Sequence, residues 1–523
     1  MRSSITRKQL LQAFGGGLGL AFAGGLLDRA FSGASKSDAA DHLVLIVLDG
    51  ARPEYFNFPG IPNVRRLIRD GTQYTNAFSG ILESETPPAH VSIATGCEPR
   101  HNGVVNFWWG SPRKHEISLF DPVKINDGDM EAIVRKAGVP TIASLVHEQR
   151  PGSKVVALSG SKYYAADALG GPDSDATMYF YGTPSGQFVP TAVPMHEPPA
   201  GVLTSPGLTT KNYRIPTGVE NHLAMKLAVD TFNRMRQQVT LINMPEFDWP
   251  LGHVDGGIVD RAKAIELMQS FDRDLGMLQN ALRRAGVLDR TLFVLMADHG
   301  MIPLQRRIDS EVLDHAVEAT GTSIVTSSYN TGACYWLQDS SQASAAAKNI
   351  AVLKSPLIQA VYSLDRTAQV PSYRRVSDGS MQHDSHVETA NQYLLSTFVG
   401  PNAPDVMVAF AEGVGCEPGG QAGWKGDHGG ASWTAQHLPL ILSGPGVREN
   451  HVSHAPARLI DVAPTALQVL GVAPHGMRGT ILADALEAPP GAAVHRQGAM
   501  TRSMEPVVQA LQNESLLEVS AGA

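Results

Sequence analysis

The sequence predicts an α/β protein: a central, mostly parallel sheet flanked by helices and interrupted by inserted cap segments. Three observations carry this. The short apolar runs Leu43–Leu48, Val239–Met244, Thr291–Met296 and Leu438–Leu442 read as strands buried on both faces. Stretches of helical period lie between them. Each run also has an acid or an imidazole with a glycine close by in sequence, and open α/β sheets bind ligands at the carboxyl ends of their strands.

Taken in order, residues 1–40 read as an export signal. Arg2, Arg7 and Lys8 precede a Gly-rich, mildly apolar stretch from Leu10 to Leu27. Thr6–Leu11 resembles a twin-arginine signal with Lys8 in place of the second arginine. The apolar run is short and broken by glycines, so no stable membrane span is expected. Residues 41–106, 220–302 and 426–490 read as the catalytic core. Its first part holds the strand Leu43–Leu48, a helix over Ile61–Asp70 ended by Gly71, and a helix opening at Thr86-Pro87-Pro88. Its second part holds a helix over His222–Gln238, a strand over 239–244, a long amphipathic helix over Val259–Ala285 and a strand over 291–297. Its third part ends in a capped helix over Ile460–Leu470. Residues 107–219, rich in Gly, Pro, Ser and Tyr with weak periodicity, are expected to form an inserted cap segment. Residues 303–425 are expected as a second inserted, loop-rich segment, and 491–523 as a C-terminal tail.

Composition narrows the function. The chain has 523 residues, 43% of them hydrophobic, enough for a large core. With a net charge of −8, no basic stripe and only 7% aromatics, a nucleic-acid polymer is not expected as partner. The three cysteines, Cys97, Cys334 and Cys416, are far apart and form no CxxC pair, so neither a disulfide framework nor a cysteine zinc site is expected. Oligomeric state is not set by any of this.

The chemistry lies at four places: Asp49-Gly50; Glu246-Phe-Asp248 through His253; Asp298-His299-Gly300-Met301; and Asp427-His428-Gly429. One Asp-Gly after a strand is an ordinary turn. Four acid or imidazole sites beside strands in one chain point to a metal centre. Thr86 before two prolines reads as a helix start, with Thr at the N-cap. Free N–H groups and partial positive charge there suit a phosphate. A Thr hydroxyl beside a metal can be deprotonated and attack phosphorus.

This set of motifs, in this order along the chain, resembles the alkaline phosphatase superfamily, and within it the nucleotide pyrophosphatase/phosphodiesterase branch. Val47-Leu-Asp49-Gly50, Thr86 before Pro88 and Thr95-Gly96, Asp248 with Gly252-His253, Asp298 to Met301, and Asp427-His428-Gly429 carry the likeness. The resemblance implies an alkaline-phosphatase-like sheet and two Zn2+ ions. One would be held by Asp49, Asp298 and His299 with the Thr86 oxygen, the other by Asp248, His253 and His428. Thr86 would become a covalent phospho-threonine that water then hydrolyses. Zinc suits Asp/His ligation, although other divalent metals take similar sites. Asn106 lies near the place where the branch has an asparagine that holds a phosphoryl oxygen, with Asn102 as the alternative. One departure is the spacing of Asp248 and His253, which is one residue longer than the branch pattern and leaves Glu246 or Asp255 open as the partner of His253.

Phe107 and Trp108 offer one wall of a pocket for a planar group, and Lys162 in the first insertion offers a phosphate contact. A sulfatase would carry Cys or Ser where Thr86 stands. Cys97-Glu-Pro-Arg100 has the wrong spacing for that role, so sulfate esters are disfavoured. The expected function is an exported, periplasmic or secreted two-metal hydrolase of small phosphate esters, preferring phosphodiester or nucleotide pyrophosphate bonds. The alternatives are a phosphomonoesterase or phosphonate hydrolase on the same site, and a membrane-retained phospho-group transferase.

Overall fold

The computed structural model describes residues 39–119, 129–183, 187–204, 218–376, 385–417 and 423–521. All but the last two positions of the export signal read at 1–40 lie outside these. Nine strands build the central sheet: β1 (His42–Leu48), β2 (Gly71–Phe78), β3 (Val155–Ser159), β4 (Ala176–Gly182), β5 (Phe188–Ala192), β6 (Val239–Met244), β7 (Thr291–Met296), β8 (His437–Ser443) and β9 (His451–Arg458). Their order is β9-β2-β8-β7-β1-β6-β3-β4-β5. The five central neighbours from β7 to β4 all run parallel, while β8 runs antiparallel to both β7 and β2. The four apolar runs thus form the middle of the sheet as expected, and β1, β6 and β7 are buried along nearly their whole length, as parallel strands covered by helices must be.

Helices complete the layers. Val219–Met235 and Arg261–Arg284 pack together, and Pro62–Arg69 packs on the latter. Thr86–Thr95 packs against Tyr163–Gly170 and Leu459–Val469. The expected helices over 61–70, 222–238, 259–285 and 460–470 therefore form, with ends displaced by one to three residues.

Three expectations change. The segment 107–219 is not a cap throughout. It supplies β3, β4 and β5, because runs as short as Val155–Ser159 between Gly- and Pro-rich stretches give too few residues for a periodic signal. Its start forms a small hairpin, Trp108–Gly110 with Glu116–Ser118. The segment 303–425 is not mainly loop. It folds as a five-stranded antiparallel sheet in the order Ile324–Tyr329, Gly332–Leu337, Val406–Phe410, Ile358–Asp365, Ser372–Val376. Leu313, Val317, Ala347, Ile350, Val361 and Val408 give it a core of its own. Its two ends are tied where Ile302–Pro303 pairs with Gly426–Asp427. The tail 491–523 is largely one helix, Gly491–Ala521, which buries Met504, Val507, Val508 and Leu511 and packs on Ser385–Ser396 and β9. β2 was not foreseen at all: Gly-Thr-Gln-Tyr-Thr-Asn-Ala-Phe carries its polar residues in adjacent pairs, so it shows neither strand alternation nor the apolar run of its neighbours. Among the described residues no helix is long and apolar enough to cross a membrane.

Candidate active site

The carboxyl ends of β1, β6 and β7 converge on one buried group of acids and imidazoles. Asp49 follows β1, and Asp298 and His299 follow β7. Asp248 follows the short turn Pro245–Phe247 after β6. Gly50 sits at φ +72, a conformation that favours glycine. A Cβ on Gly300 would collide with the Thr434 carbonyl oxygen, so only glycine lets the chain leave β7 beneath that segment.

Two clusters of candidate metal ligands result. In the first, His299 Nε2 lies 3.3 Å from Asp49 Oδ1 and 3.4 Å from Asp298 Oδ2. In the second, Asp248 Oδ1 lies 3.2 Å from His253 Nε2 and 3.5 Å from His428 Nε2. The His299 and His428 rings stack at 3.6 Å, joining the clusters. His253 Nδ1 donates to the Gly426 carbonyl and His299 Nδ1 to the Gly300 carbonyl, both at 3.0 Å. Each therefore turns Nε2 to the carboxylates, the orientation of a ligating imidazole. Asp427 joins the second cluster, with Oδ1 3.9 Å from His253 Nδ1. The longer spacing after Asp248 does not part it from His253. The alternatives are engaged elsewhere: Glu246 accepts the backbone N–H groups of Gly218 and Asn221 at 2.9 and 2.8 Å, and Asp255 pairs with Lys263 at 2.6 Å.

These residues fit divalent cations. Asp49 Oδ1, Asp248 Oδ1, Asp298 Oδ2 and His299 Nε2 are all buried without a hydrogen-bond partner. Three overlapping groups bring their ligand atoms within 4.8 Å of one another: Asp49, Asp298 and His299; Asp248, His299 and His428; His253, Asp427 and His428. Buried polar atoms left unpaired are costly, and a cation is the partner that carboxylate and imidazole share. The electrostatics agree. Burial, with the Asp49 charge, pushes Asp298 up to about 7, and burial pushes Asp427 to about 7. Burial and the charge of His299 hold His428 well below its ordinary value.

Thr86 opens the helix Thr86–Thr95. The N-cap is Glu85 rather than Thr86, because the Ala89 N–H donates to the Glu85 carbonyl at 3.0 Å and draws Thr86 into the first turn. Lys162 comes from the loop after β3 and is buried. Its Nζ lies 2.9 Å from Asp49 Oδ2, 2.5 Å from Asp248 Oδ2 and 3.5 Å from Thr86 Oγ1. Burial opposes ionisation of Asp49 and of Asp248. The Lys162 ammonium overrides it and holds both carboxyls below the usual range.

Asn106 donates to Glu83 Oε2 at 3.2 Å and accepts from Ser328. Asn102 is committed to the Cys97 carbonyl at 2.9 Å and to Ser92, so it is a packing residue. The Phe107 ring meets Tyr164 edge-on at 4.9 Å, two residues beyond Lys162. Trp108 is tied to the Ser327 carbonyl through Nε1 at 2.6 Å, where the hairpin docks on the second sheet. All three cysteines are buried, and none forms a disulfide.

Sequence reasoning missed the polar network behind the site. Asn243, inside β6, donates to Asp49 Oδ2 at 2.8 Å and to His90 Nε2 at 3.0 Å, and accepts from Ser159 Oγ at 2.7 Å. His90 Nδ1 in turn donates to the Thr86 carbonyl at 2.8 Å. Burial lowers His90 to about 4, so it stays neutral. The register explains the contact: Asn243 lies level with Val47 of β1 and Ser159 of β3. The available signal was a lone amide in an otherwise apolar strand.

Fold and site together define a class, that of phosphoric ester hydrolases with an alkaline-phosphatase-like core. The sequence profile described as type I phosphodiesterase / nucleotide pyrophosphatase matches residues 43–430, and the chain belongs to that family. Alkaline phosphatase PhoK from a Sphingomonas species is 21% identical over 384 residues, 59% of this chain and 67% of that protein. Wild-type alkaline phosphatase PafA superposes with a TM-score of 0.63 at 15% identity, covering 86% of this chain and 99% of that one. Murine ectonucleotide pyrophosphatase/phosphodiesterase 5 superposes with a TM-score of 0.59 at 16% identity, covering 86% of this chain and 100% of that one.

Proposed function

We propose that this protein cleaves phosphate esters by transfer of the phosphoryl group to Thr86, followed by hydrolysis of the phospho-threonine. The observation that carries the reading is the position of the Thr86 hydroxyl, at a helix start and sharing the Lys162 ammonium with one carboxylate from each cluster. Two divalent cations, zinc by ligand chemistry, would be held by Asp49, Asp298 and His299 with the Thr86 oxygen, and by Asp248, His253 and His428. When bound, they would supply positive charge against the charge that develops during displacement. Lys162 binds a non-bridging phosphoryl oxygen, Asn106 Nδ2 another, and Asn243 with His90 fixes Asp49 and the start of the Thr86 helix. Attack forms the Thr86 O–P bond as the bond to the leaving oxygen breaks. Water then breaks the Thr86 O–P bond and releases phosphate or a phosphate monoester.

Phosphodiester and nucleotide pyrophosphate bonds are the substrates that the family description supports, with Phe107 beside Tyr164 as a wall for a planar group and Trp108 bracing it. One observation favours a second reading, monoester or phosphonate hydrolysis. Lys162 is a full buried positive charge at the nucleophile, and a dianionic phosphoryl group gains more from it than a monoanionic one. Export rests on Arg2, Arg7 and Lys8 ahead of the Gly-rich apolar stretch. The test is a paired rate assay on zinc-loaded protein with p-nitrophenyl phosphate, bis-p-nitrophenyl phosphate and a nucleotide 5′-p-nitrophenyl ester. Faster diester turnover supports the first reading and faster monoester turnover the second. Unchanged turnover by Thr86→Ala refutes the nucleophile.

A further inference from the structure

Beside the second ligand cluster lies an aromatic pair that the reaction above does not use. Trp249 follows Asp248 directly, and Trp424 closes on the same imidazole from the far end of the second inserted segment. The Trp424 ring centroid is 4.0 Å from that of His253, Trp249 is 6.0 Å from it, and the two indoles meet edge-on at 5.7 Å. Trp249 is 46% exposed, although it neighbours a wholly interior acid. The loop is held firmly. The Trp249 N–H donates to the Pro245 carbonyl at 3.0 Å, Val254 N–H to Pro250 at 2.9 Å, and Lys425 N–H to the His253 carbonyl at 2.7 Å. The longer spacing between Asp248 and His253 falls in this loop.

Isolated exposed apolar residues are ordinary. An aromatic pair packed against a candidate ligand imidazole, with one indole half exposed, offers a binding surface, since indoles offer large flat faces at low entropic cost. Direction follows from displacement chemistry. Nucleophile and leaving oxygen lie on opposite sides of phosphorus. Thr86 is assigned with Asp49, Asp298 and His299, so the cluster of Asp248, His253 and His428 faces the departing oxygen. We infer that Trp249 and Trp424 bracket the leaving group, and that they select a planar aromatic one, such as an aryl alcohol, over an aliphatic one. This rests on the phosphoester reading and adds to it the class of leaving group.

The test uses zinc-loaded full-length protein and two non-hydrolysable ligands of matched headgroup, phenylphosphonate and methylphosphonate, titrated by calorimetry. In the unsubstituted protein phenylphosphonate binds more tightly. Trp249→Ala and Trp424→Ala each lower the ratio of phenyl to methyl affinity by about 3- to 10-fold, the range of an aromatic ring pair, and Trp249→Phe restores most of it. The ratio of kcat/KM for phenyl phosphate over glycerol 2-phosphate moves in parallel. A loss common to both ligands, with the ratio unmoved, would mean the indoles only support the loop, and an unmoved ratio with no loss would mean they take no part; either overturns the inference. An unsubstituted protein that neither binds the phosphonates nor cleaves either ester overturns the phosphoester reading itself.

Discussion

Replacing Asn243 with leucine, of similar volume, removes one amide, orphans two buried groups and takes one of two donors from a third, since Asp49 Oδ2 keeps Lys162. Asp49 Oδ2 loses a donor at 2.8 Å, His90 Nε2 loses one at 3.0 Å, and Ser159 Oγ loses its acceptor at 2.7 Å. A hydrogen bond to a charged carboxylate contributes about 1.5–3 kcal/mol and a neutral one about 1 kcal/mol. The expected loss of stability is therefore about 3–5 kcal/mol. The second consequence is functional. Asp49 keeps Lys162 but loses the neutral donor that fixes its carboxylate from the strand beside it, and removing such a supporting partner typically costs about 10- to 100-fold in metal affinity. The assay pairs urea denaturation with a zinc titration against a competing chelator, so that affinity and stability are read separately. Asn243→Asp distinguishes charge from geometry: it keeps the acceptor for Ser159 but sets a second carboxylate against Asp49, and metal affinity should follow pH. If Asn243→Leu binds zinc within about twofold of the unsubstituted protein, the network does not position Asp49 and the reasoning fails.

Other expectations follow from single residues. Lys162→Ala should lower kcat/KM for a phosphate monoester by about 10²–10³-fold, the cost of one preorganised donor to developing charge, and for a diester by less than about tenfold. Equal losses would remove the argument for monoester preference. Asp167 is buried on the helix Tyr163–Gly170 with both carboxylate oxygens unpartnered. Burial and the Glu131 charge push it up to about 8. A raised folded pKa means that the native state holds the proton more tightly. That contribution is full below about pH 4 and is lost as pH rises through about 8. Asp167→Asn should therefore stabilise the protein by a few kcal/mol at pH 8.5, with the gain shrinking toward pH 4; a gain independent of pH would contradict the assignment.

Much of the site was legible because its residues stand where strands end. Asp49, Asp298 and His299 directly follow apolar runs, and a buried parallel strand that stops at an acid is visible without any structure. His253 and His428 were legible through the glycines beside them. Asn243 and Ser159 were not, because each lies inside its strand and only the register of β1, β6 and β3 sets them side by side. β2, β4 and β5 were hidden for a different reason: β2 and β5 mix polar residues or proline among their apolar ones, and β4 lies between stretches rich in glycine, proline and serine, so none shows a clean apolar run. The sheet within 303–425 was missed because its strands close a small core of their own, in which alanine and valine outnumber large residues.

The central claim is the covalent step at Thr86. Rapid acid quench of the zinc-loaded protein during turnover of p-nitrophenyl phosphate, followed by peptide mass spectrometry, tests it most directly. The account predicts a phosphoryl group on the peptide that carries Thr86, and none on the Thr86→Ala protein. Full turnover with no phosphorylated peptide, or with the phosphoryl group on another residue, would contradict it.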